Sequence, residues 1–319
     1  MMIQAKSRRV LTLTLNPAID QSVAVTGFTA GSVNRVVWEQ SDPGGKGVNV
    51  ASFLADLGHP GTVTGLLGRD NATEFEHLFK SKGIVDEFVR IPGKTRVNIK
   101  IIDETTQAIT DLNFPGCAVS PADLVKLERR IDSLLPEQDW LVLSGSTPAG
   151  VSADYYARLI RRLNAAGKRV VLDSSGEALR LGIAALPWAI KPNIHELEEL
   201  LGKTLPDTPA VIGAARELLA RGLGCVVVSM GEQGALFLTA SECLHAQPPE
   251  IEVKSTVGAG DAMVAGFIAG QLRGLSLADS ARLATASALG ALTQLGPRLP
   301  SAETIASYMQ QVVVRDATH

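Results

Sequence analysis

Three cysteines in 319 residues, Cys117, Cys225 and Cys243, are too few and too scattered for a disulfide framework or a thiolate metal site. They read as reduced thiols and predict a cytoplasmic chain. The five histidines, His59, His77, His195, His245 and His319, show no metal-ligand spacing and are expected on the surface or in loops. No apolar run approaches the roughly 18 residues of a membrane span. Residues 1–9 are polar and basic and lack the apolar stretch of a signal peptide. The net charge of −3 leaves no surplus of cations for a nucleic-acid footprint, although a small anionic ligand needs only a few local ones. A phosphate-cradling G-x-x-x-x-G-K-[ST] is absent, which excludes a P-loop enzyme. No G-x-G-x-x-G follows the first apolar run, so a dinucleotide-binding dehydrogenase is not expected either. Internal repeats and low-complexity tracts are also missing.

What is present is an alternation of short apolar runs with helical patterns, the signature of a parallel sheet covered by helices. The expected buried strands are Val10–Leu15, Thr62–Leu67, Trp140–Leu143, Arg169–Leu172 and Cys225–Ser229. They are continuously apolar, as strands buried on both faces should be. Helices are expected at Val48–Leu57, Ala122–Leu135, Ala153–Ala166, Ile194–Leu201, Pro209–Arg221 and Ala262–Arg273, with apolar residues three and four apart. Two stretches break the alternation, at about 21–37 and 88–114, where Val97, Ile99 and Ile101 are spaced for strands with one exposed face. They predict a small extra sheet acting as a lid on a single domain spanning 1–319.

Two glycine-rich segments carry the chemistry. Ser255-Thr256-Val257-Gly258-Ala259-Gly260-Asp261 runs into a helical pattern. Glycines there let a ligand approach the first-turn N–H groups, which suits phosphate oxygens, and Asp261 could accept a proton from an attacking hydroxyl. A plain helix N-cap explains the same residues equally well. Pro43-Gly44-Gly45-Lys46-Gly47-Val48-Asn49 also precedes a helix, with Lys46 as a point charge and Asn49 as donor and acceptor. An ordinary loop is the alternative. Asp20 follows the first strand closely and could meet substrate hydroxyls, or be a turn residue after Asn16-Pro17. Arg96, in Lys94-Thr95-Arg96-Val97-Asn98-Ile99-Lys100, could clamp a phosphate with Lys46 and Lys100 nearby, or protect a solvated strand edge.

Gly44-Gly45-Lys46-Gly47-Val48-Asn49 and Thr256-Val257-Gly258-Ala259-Gly260-Asp261, about 210 residues apart, resemble the paired signatures of the ribokinase/PfkB family of sugar kinases. The resemblance runs from about Arg9 to Leu299. It implies a ribokinase-like three-layer α/β/α core with a small β-sheet lid. Asp261 is then the catalytic base, with Gly258, Ala259 and Gly260 as the anion hole. Asp20, Gly45, Lys46 and Asn49 match the family's sugar-binding positions, and Arg96, Asn98 and Ser144 belong with them in the phosphosugar branch. Lys191-Pro192-Asn193-Ile194-His195-Glu196 resembles the family's Asn-x-x-Glu segment. Glu196 would thus serve Mg²⁺, and Lys191, Asn193 and Thr256 the ATP. Ser229, Gly231 and Gly234 resemble the turn lining the nucleotide; Glu196 alone would be an ordinary first-turn residue. Thr95-Arg96-Val97-Asn98, Thr110-Asp111-Leu112-Asn113-Phe114 and Leu186-Pro187-Trp188 resemble the branch acting on fructose 1-phosphate. Kinases of tagatose 6-phosphate and fructose 6-phosphate are the alternatives, and a non-catalytic sugar-phosphate sensor a remote one. The partner implied is a small phosphosugar, with no nucleic acid or membrane. The exposed strand faces suit a homodimer through the lid.

Overall fold

The computed structural model describes residues 9–317; residues 1–8 and 318–319, His319 among them, lie outside the described residues. In chain order, strands β1 (Val10–Thr14), β2 (Ala18–Val25) and β3 (Val36–Gly44) lead into helix α1 (Lys46–Asp56). Then come β4 (Thr62–Gly68), α2 (Thr73–Ser81), β5 (Val85–Asp86), β6 (Val89–Ile91), β7 (Arg96–Asp103) and β8 (Ile109–Leu112). The middle of the chain is α3 (Pro121–Leu134), β9 (Trp140–Ser144), α4 (Tyr155–Ala165), β10 (Arg169–Asp173), α5 (Gly176–Ile183), β11 (Ala189–Ile190), α6 (Ile194–Leu201), α7 (Thr208–Leu219) and β12 (Cys225–Ser229). It closes with β13 (Ala235–Leu238), β14 (Cys243–Gln247), α8 (Ala259–Leu272), α9 (Leu277–Leu292), α10 (Ala302–Gln311) and β15 (Val313–Asp316).

The main sheet runs β15-β14-β13-β12-β11-β10-β9-β1-β4-β5, with β6 also on β4. It is parallel from β5 to β12 and antiparallel from β12 to β15. Leu11, Leu13, Leu141, Leu143 and Leu172 bury one face against α3 to α7. Val10, Val142 and Val171 face α1, α8, α9 and α10 on the other. Each such side chain contributes about 1.5–3 kcal/mol by leaving water. The expected three-layer α/β architecture is therefore present.

Helix α8 is apolar on every side and buried from Asp261 to Gly270, as a helix sandwiched between layers must be. Phe267 stacks on Trp188 at 6.0 Å, and Trp188 meets Trp140 edge-on at 4.8 Å, which ties α8 to the sheet. On its outer side α9 comes so close that a Cβ on Gly266 would stand 2.6 Å from Ser287 Oγ, and one on Gly270 2.6 Å from Ser280 Oγ.

The second sheet has the order β3-β2-β7-β8. A separate apolar cluster that includes Ile19, Val48, Val63, Phe75 and Phe79 joins its strand β2 to α1, α2 and β4. The strand bounds differ from the sequence expectation of 21–37 and 88–114. Strand β2 starts at Ala18, and β3 extends through Pro43 to Gly44. Pro43 and the glycines suggest a loop, yet β3 is an edge strand, where proline costs no ladder bond. Residues 89–91 instead stay with the main sheet as β6. Sequence patterning also passed over α2, α5, α9, α10 and the β13–β15 ladder. No helix among the described residues is long and apolar enough to cross a membrane.

The α8–α9 approach generates a paired prediction. Gly266→Ala is expected to destabilise the fold by about 1–3 kcal/mol through overpacking. Gly213→Ala, on an exposed part of α7 where a Cβ would meet nothing within 4 Å, is expected to stabilise it by about 0.5–1 kcal/mol. Urea unfolding of both variants checks this; equal midpoints would mean that α9 yields freely.

Candidate active site

Strands β1, β9 and β10 end in register at Thr14, Ser144 and Asp173. Ligands of open α/β sheets collect beyond the carboxyl ends of the strands, so these buried polar residues mark the floor of a site. A carboxylate buried to 1 % exposure requires an opposite charge. Asp173 has two: its Oδ1 lies 3.0 Å from Lys46 Nζ and 3.6 Å from Lys191 Nζ. Burial alone would push the Asp173 carboxyl up, but Lys191 and Lys46 outweigh it and hold it below the usual range. In return Asp173, against the cost of burial, pushes the pKa of the Lys46 ammonium up.

Lys46 is the first residue of α1, which starts two residues earlier than its apolar pattern suggests. The helix can start there because Gly45 adopts φ +105°, and because a Cβ on it would stand 2.9 Å from Pro17 Cα. One turn on, Asn49 Nδ2 donates to Asp261 Oδ2 at 2.8 Å, joining α1 to α8. Asp261 is not the cap of α8. That place belongs to Gly258 in the left-handed conformation, φ +78°, with no side-chain cap. The first-turn N–H groups therefore keep no side-chain acceptor and point outward. Lys191 stands beside them, its Nζ 3.4 Å from the position of a Cβ on Gly260. Burial first, then Asp173, push the Asp261 carboxyl up to about 7, against Lys46, the Asn49 hydrogen bond and Lys191. A base with that pKa is half ionised near neutrality, where general-base catalysis is most efficient.

Strand β2 brings Asp20 opposite Asn98 of β7, and Asn98 Nδ2 donates to Asp20 Oδ1 at 3.0 Å. Burial pushes the Asp20 carboxyl up, against the Asn98 hydrogen bond and the charges of Arg96 and Lys100. A Cβ on Gly44 would lie 2.7 Å from Asp20 Oδ2 and 3.3 Å from Asn49 Oδ1, so the Asp20–Asn98 and Asn49–Asp261 pairs share one wall. Ser144 Oγ and Asn49 Oδ1 are buried and without a partner among the described residues.

Arg96 is occupied differently from the phosphate clamp read from sequence. Its Nε, Nη1 and Nη2 donate to the carbonyls of Pro17, Phe114 and Asn16 at 3.3, 3.1 and 3.1 Å. It thereby staples the β1–β2 connection to the segment after β8. Asn193 and Glu196 form a reciprocal capping box on α6, at 2.8 and 2.9 Å. The charge of Glu196 still reaches Lys46. A magnesium ion at phosphates takes one or two carboxylates and keeps several waters, so Glu196 fits that role although no cluster of three acidic or metal-ligating residues occurs among the described residues. Asn193 bridges to Ser229 at the end of β12, and Gly231 and Gly234 shape the turn beyond it. Thr256 is exposed on the turn before α8. Among the described residues no hydrogen bond or ion pair joins Asn193, Ser229, Gly231, Gly234 or Thr256 to Asp261. Asp173 is the residue that sequence reasoning missed. Its signal was an aspartate closing the apolar strand Arg169–Asp173.

Comparison with known proteins gives the family of the chain. A family model described as pfkB family carbohydrate kinase matches residues 13–305. The chain is 51 % identical over 308 residues to the 1-phosphofructokinase of Rhodobacter capsulatus, covering 96 % of this chain and 98 % of that one. It is 42 % identical over 306 residues to the 1-phosphofructokinase of Escherichia coli K12, with coverage of 96 % and 98 %. The crystal structure of Escherichia coli phosphofructokinase-2 in complex with substrates and products is similar at a TM-score of 0.88 and 30 % identity, over 95 % of this chain and 98 % of that one.

The raised pKa of Asp261 has a cost in stability. A carboxyl that moves from 3.8 to about 7 on folding binds its proton more tightly in the folded state. Stability on this account falls as pH rises between those values, and the penalty is complete above the upper one. Asp261→Asn is therefore expected to melt at a higher temperature than the wild-type chain at pH 8, with the gap closing towards pH 5. Scanning calorimetry across that range checks it; a gap that widens on acidification would reverse the sign and discard the assignment.

Proposed function

The chain belongs to the pfkB family of carbohydrate kinases, and from that premise we propose that it transfers the γ-phosphoryl group of ATP to the 6-hydroxyl of fructose 1-phosphate, giving fructose 1,6-bisphosphate. The observation that carries the mechanism is Asp261: a buried carboxyl with a pKa near neutrality, in the first turn of a helix whose N–H groups are open. Full-length relatives that are 1-phosphofructokinases support fructose 1-phosphate over the other ketohexose phosphates.

The sugar hydroxyl gives its proton to Asp261 as its oxygen attacks the γ-phosphorus in line. The bond from that phosphorus to the β,γ-bridging oxygen breaks, and ADP leaves with the electron pair. Gly258, Ala259 and Gly260 place backbone dipoles at the equatorial oxygens, and Lys191 adds a full charge beside them. Asp20, Asn98, Asn49 and the Gly45 backbone hold the sugar hydroxyls. Lys46, Arg96 and Ser144 serve the sugar phosphate, Arg96 with the donors its carbonyl contacts leave over. Asn193, Ser229, Gly231, Gly234 and Thr256 line the nucleotide. Glu196 would hold Mg²⁺, which neutralises β- and γ-oxygens when bound. The whole chain acts as one domain whose second sheet closes as a lid and excludes water from the transfer.

A coupled ADP-release assay with Mg-ATP tests this reading. Fructose 1-phosphate is expected to exceed fructose 6-phosphate, tagatose 6-phosphate and free fructose in kcat/KM by more than about tenfold. Asp261→Asn is expected to lower kcat by about 10²–10⁴-fold, and Arg96→Ala to raise KM for the phosphosugar more than for ATP. Turnover near the wild-type rate in the Asp261 variant would remove it as the base.

A cytoplasmic location belongs to the same proposal, and the free thiols and the need for ATP support it. We also propose a homodimer through the second sheet, because Val36, Val37, Ile109 and Leu112 on its two outer strands are 45–61 % exposed. Val37→Glu is expected to convert the dimer to monomer in sedimentation equilibrium. A dimer that survives both this change and Leu112→Glu would rule that surface out.

A further inference from the structure

We infer that Asp173 is a positioning residue for the transfer: one carboxylate holds two lysines from separate elements over the strand ends where the two anionic reactants meet. Lys46 opens α1 and Lys191 follows β11, and both ammonium groups lie within 4 Å of the same oxygen, Asp173 Oδ1. Two like charges that close repel, and without the carboxylate between them each would turn outward to water. Among the described residues neither lysine has a second carboxylate within that distance.

A stabilising role alone accounts poorly for this arrangement. A buried ion triad is often no more stable than apolar residues of the same volume. The rest of β10 shows the apolar alternative, since Val170, Val171 and Leu172 are all buried hydrophobes. Among the buried residues of β10 a charge appears only at the last, on the edge where ligands collect, while Arg169 at the other end is exposed. Its Oδ2 is buried and has no partner among the described residues, so the carboxylate is not saturated by the fold. With Lys46, Lys191 and Asp173 ionised, the site carries one net positive charge while Asp261 is protonated and none once Asp261 is ionised. The groups facing Asp261 are Lys46 and Asn49 of α1, Asp173 of β10 and Lys191 after β11, while Glu196 of α6 acts on Lys46. Removing Asp173 therefore does two things. It frees the lysines, which weakens both anionic substrates, and it makes ionisation of Asp261 easier.

This inference rests on Asp261 as the base, and its test separates the two. The pH profile of kcat/KM for fructose 1-phosphate is measured for the wild-type enzyme, Asp173→Asn and Lys191→Met. Asp173→Asn is expected to lose about 10²-fold in kcat/KM, with KM raised for both substrates and the acid limb moved to lower pH. Lys191→Met is expected to move that limb the other way, to higher pH, because it removes a cation that favours the ionised base. A merely structural Asp173 would lower the melting temperature and leave the limb in place. Limbs unmoved in both variants, or moved in the same direction, overturn the proposal. If Asp173→Asn does not fold, the direction of the limb in Lys191→Met decides alone. A wild-type enzyme without turnover, or an Asp261→Asn enzyme that keeps it, would instead undo the functional reading itself.

Discussion

The hydrogen bond from Asn49 to Asp261 spans 212 residues of chain and joins the first turns of two helices in a buried place. Much of the structure serves to make that contact. Helix α1 must start at the carboxyl end of β1, which the left-handed turn at Gly45 permits. Helix α8 must lie flat between the sheet and α9, which requires an apolar surface all round and glycines where α9 presses on it. Trp188, stacked on Phe267 and edge-on to Trp140, holds the far part of α8 in place. Once both helix starts are fixed, their open N–H groups and the carboxylate of Asp261 face one small volume above Asp173.

Electrostatics in that volume work as a balance. Burial makes ionisation of Asp261 unfavourable, and a second carboxylate nearby adds to this. Two lysines oppose both effects. The pKa of about 7 is the resultant of burial and Asp173 acting against Lys46, Asn49 and Lys191. Such an arrangement is tunable, because each of the three charged groups, Asp173, Lys46 and Lys191, shifts Asp261 from outside its own side chain.

Much of this was legible in the sequence. The central strands appeared as continuous apolar runs, since a strand covered on both faces has no polar side to show. The two glycine-rich segments were visible because backbone proximity to a ligand excludes a Cβ. The metal role proposed for Glu196 was harder to read, since a capping box and a metal ligand use the same residue types at the same spacing. Asp173 was hidden for another reason. Its role depends on lysines 127 and 18 residues away, and nothing local distinguishes an aspartate that ends a strand from one that merely begins a turn. The bounds of the second sheet were misread at Pro43 because edge and interior strands differ only in their neighbours. Helix α9 went unnoticed because its alanines and serines, buried against α8, give a weak amphipathic pattern.

The place of β1 in the main sheet has a consequence for biosynthesis. The first strand among the described residues is central: Leu11 pairs with Thr62 on one side and with Leu141 on the other. During translation its second edge stays unpaired until β9 has left the ribosome, and the helix that covers its end is completed only by contacts from α8. The chain thus has high contact order and acquires its active centre late in synthesis. Shielding of the nascent β1 and β4 edge, by a chaperone or by rapid docking of α1 and α2, is then part of making the enzyme.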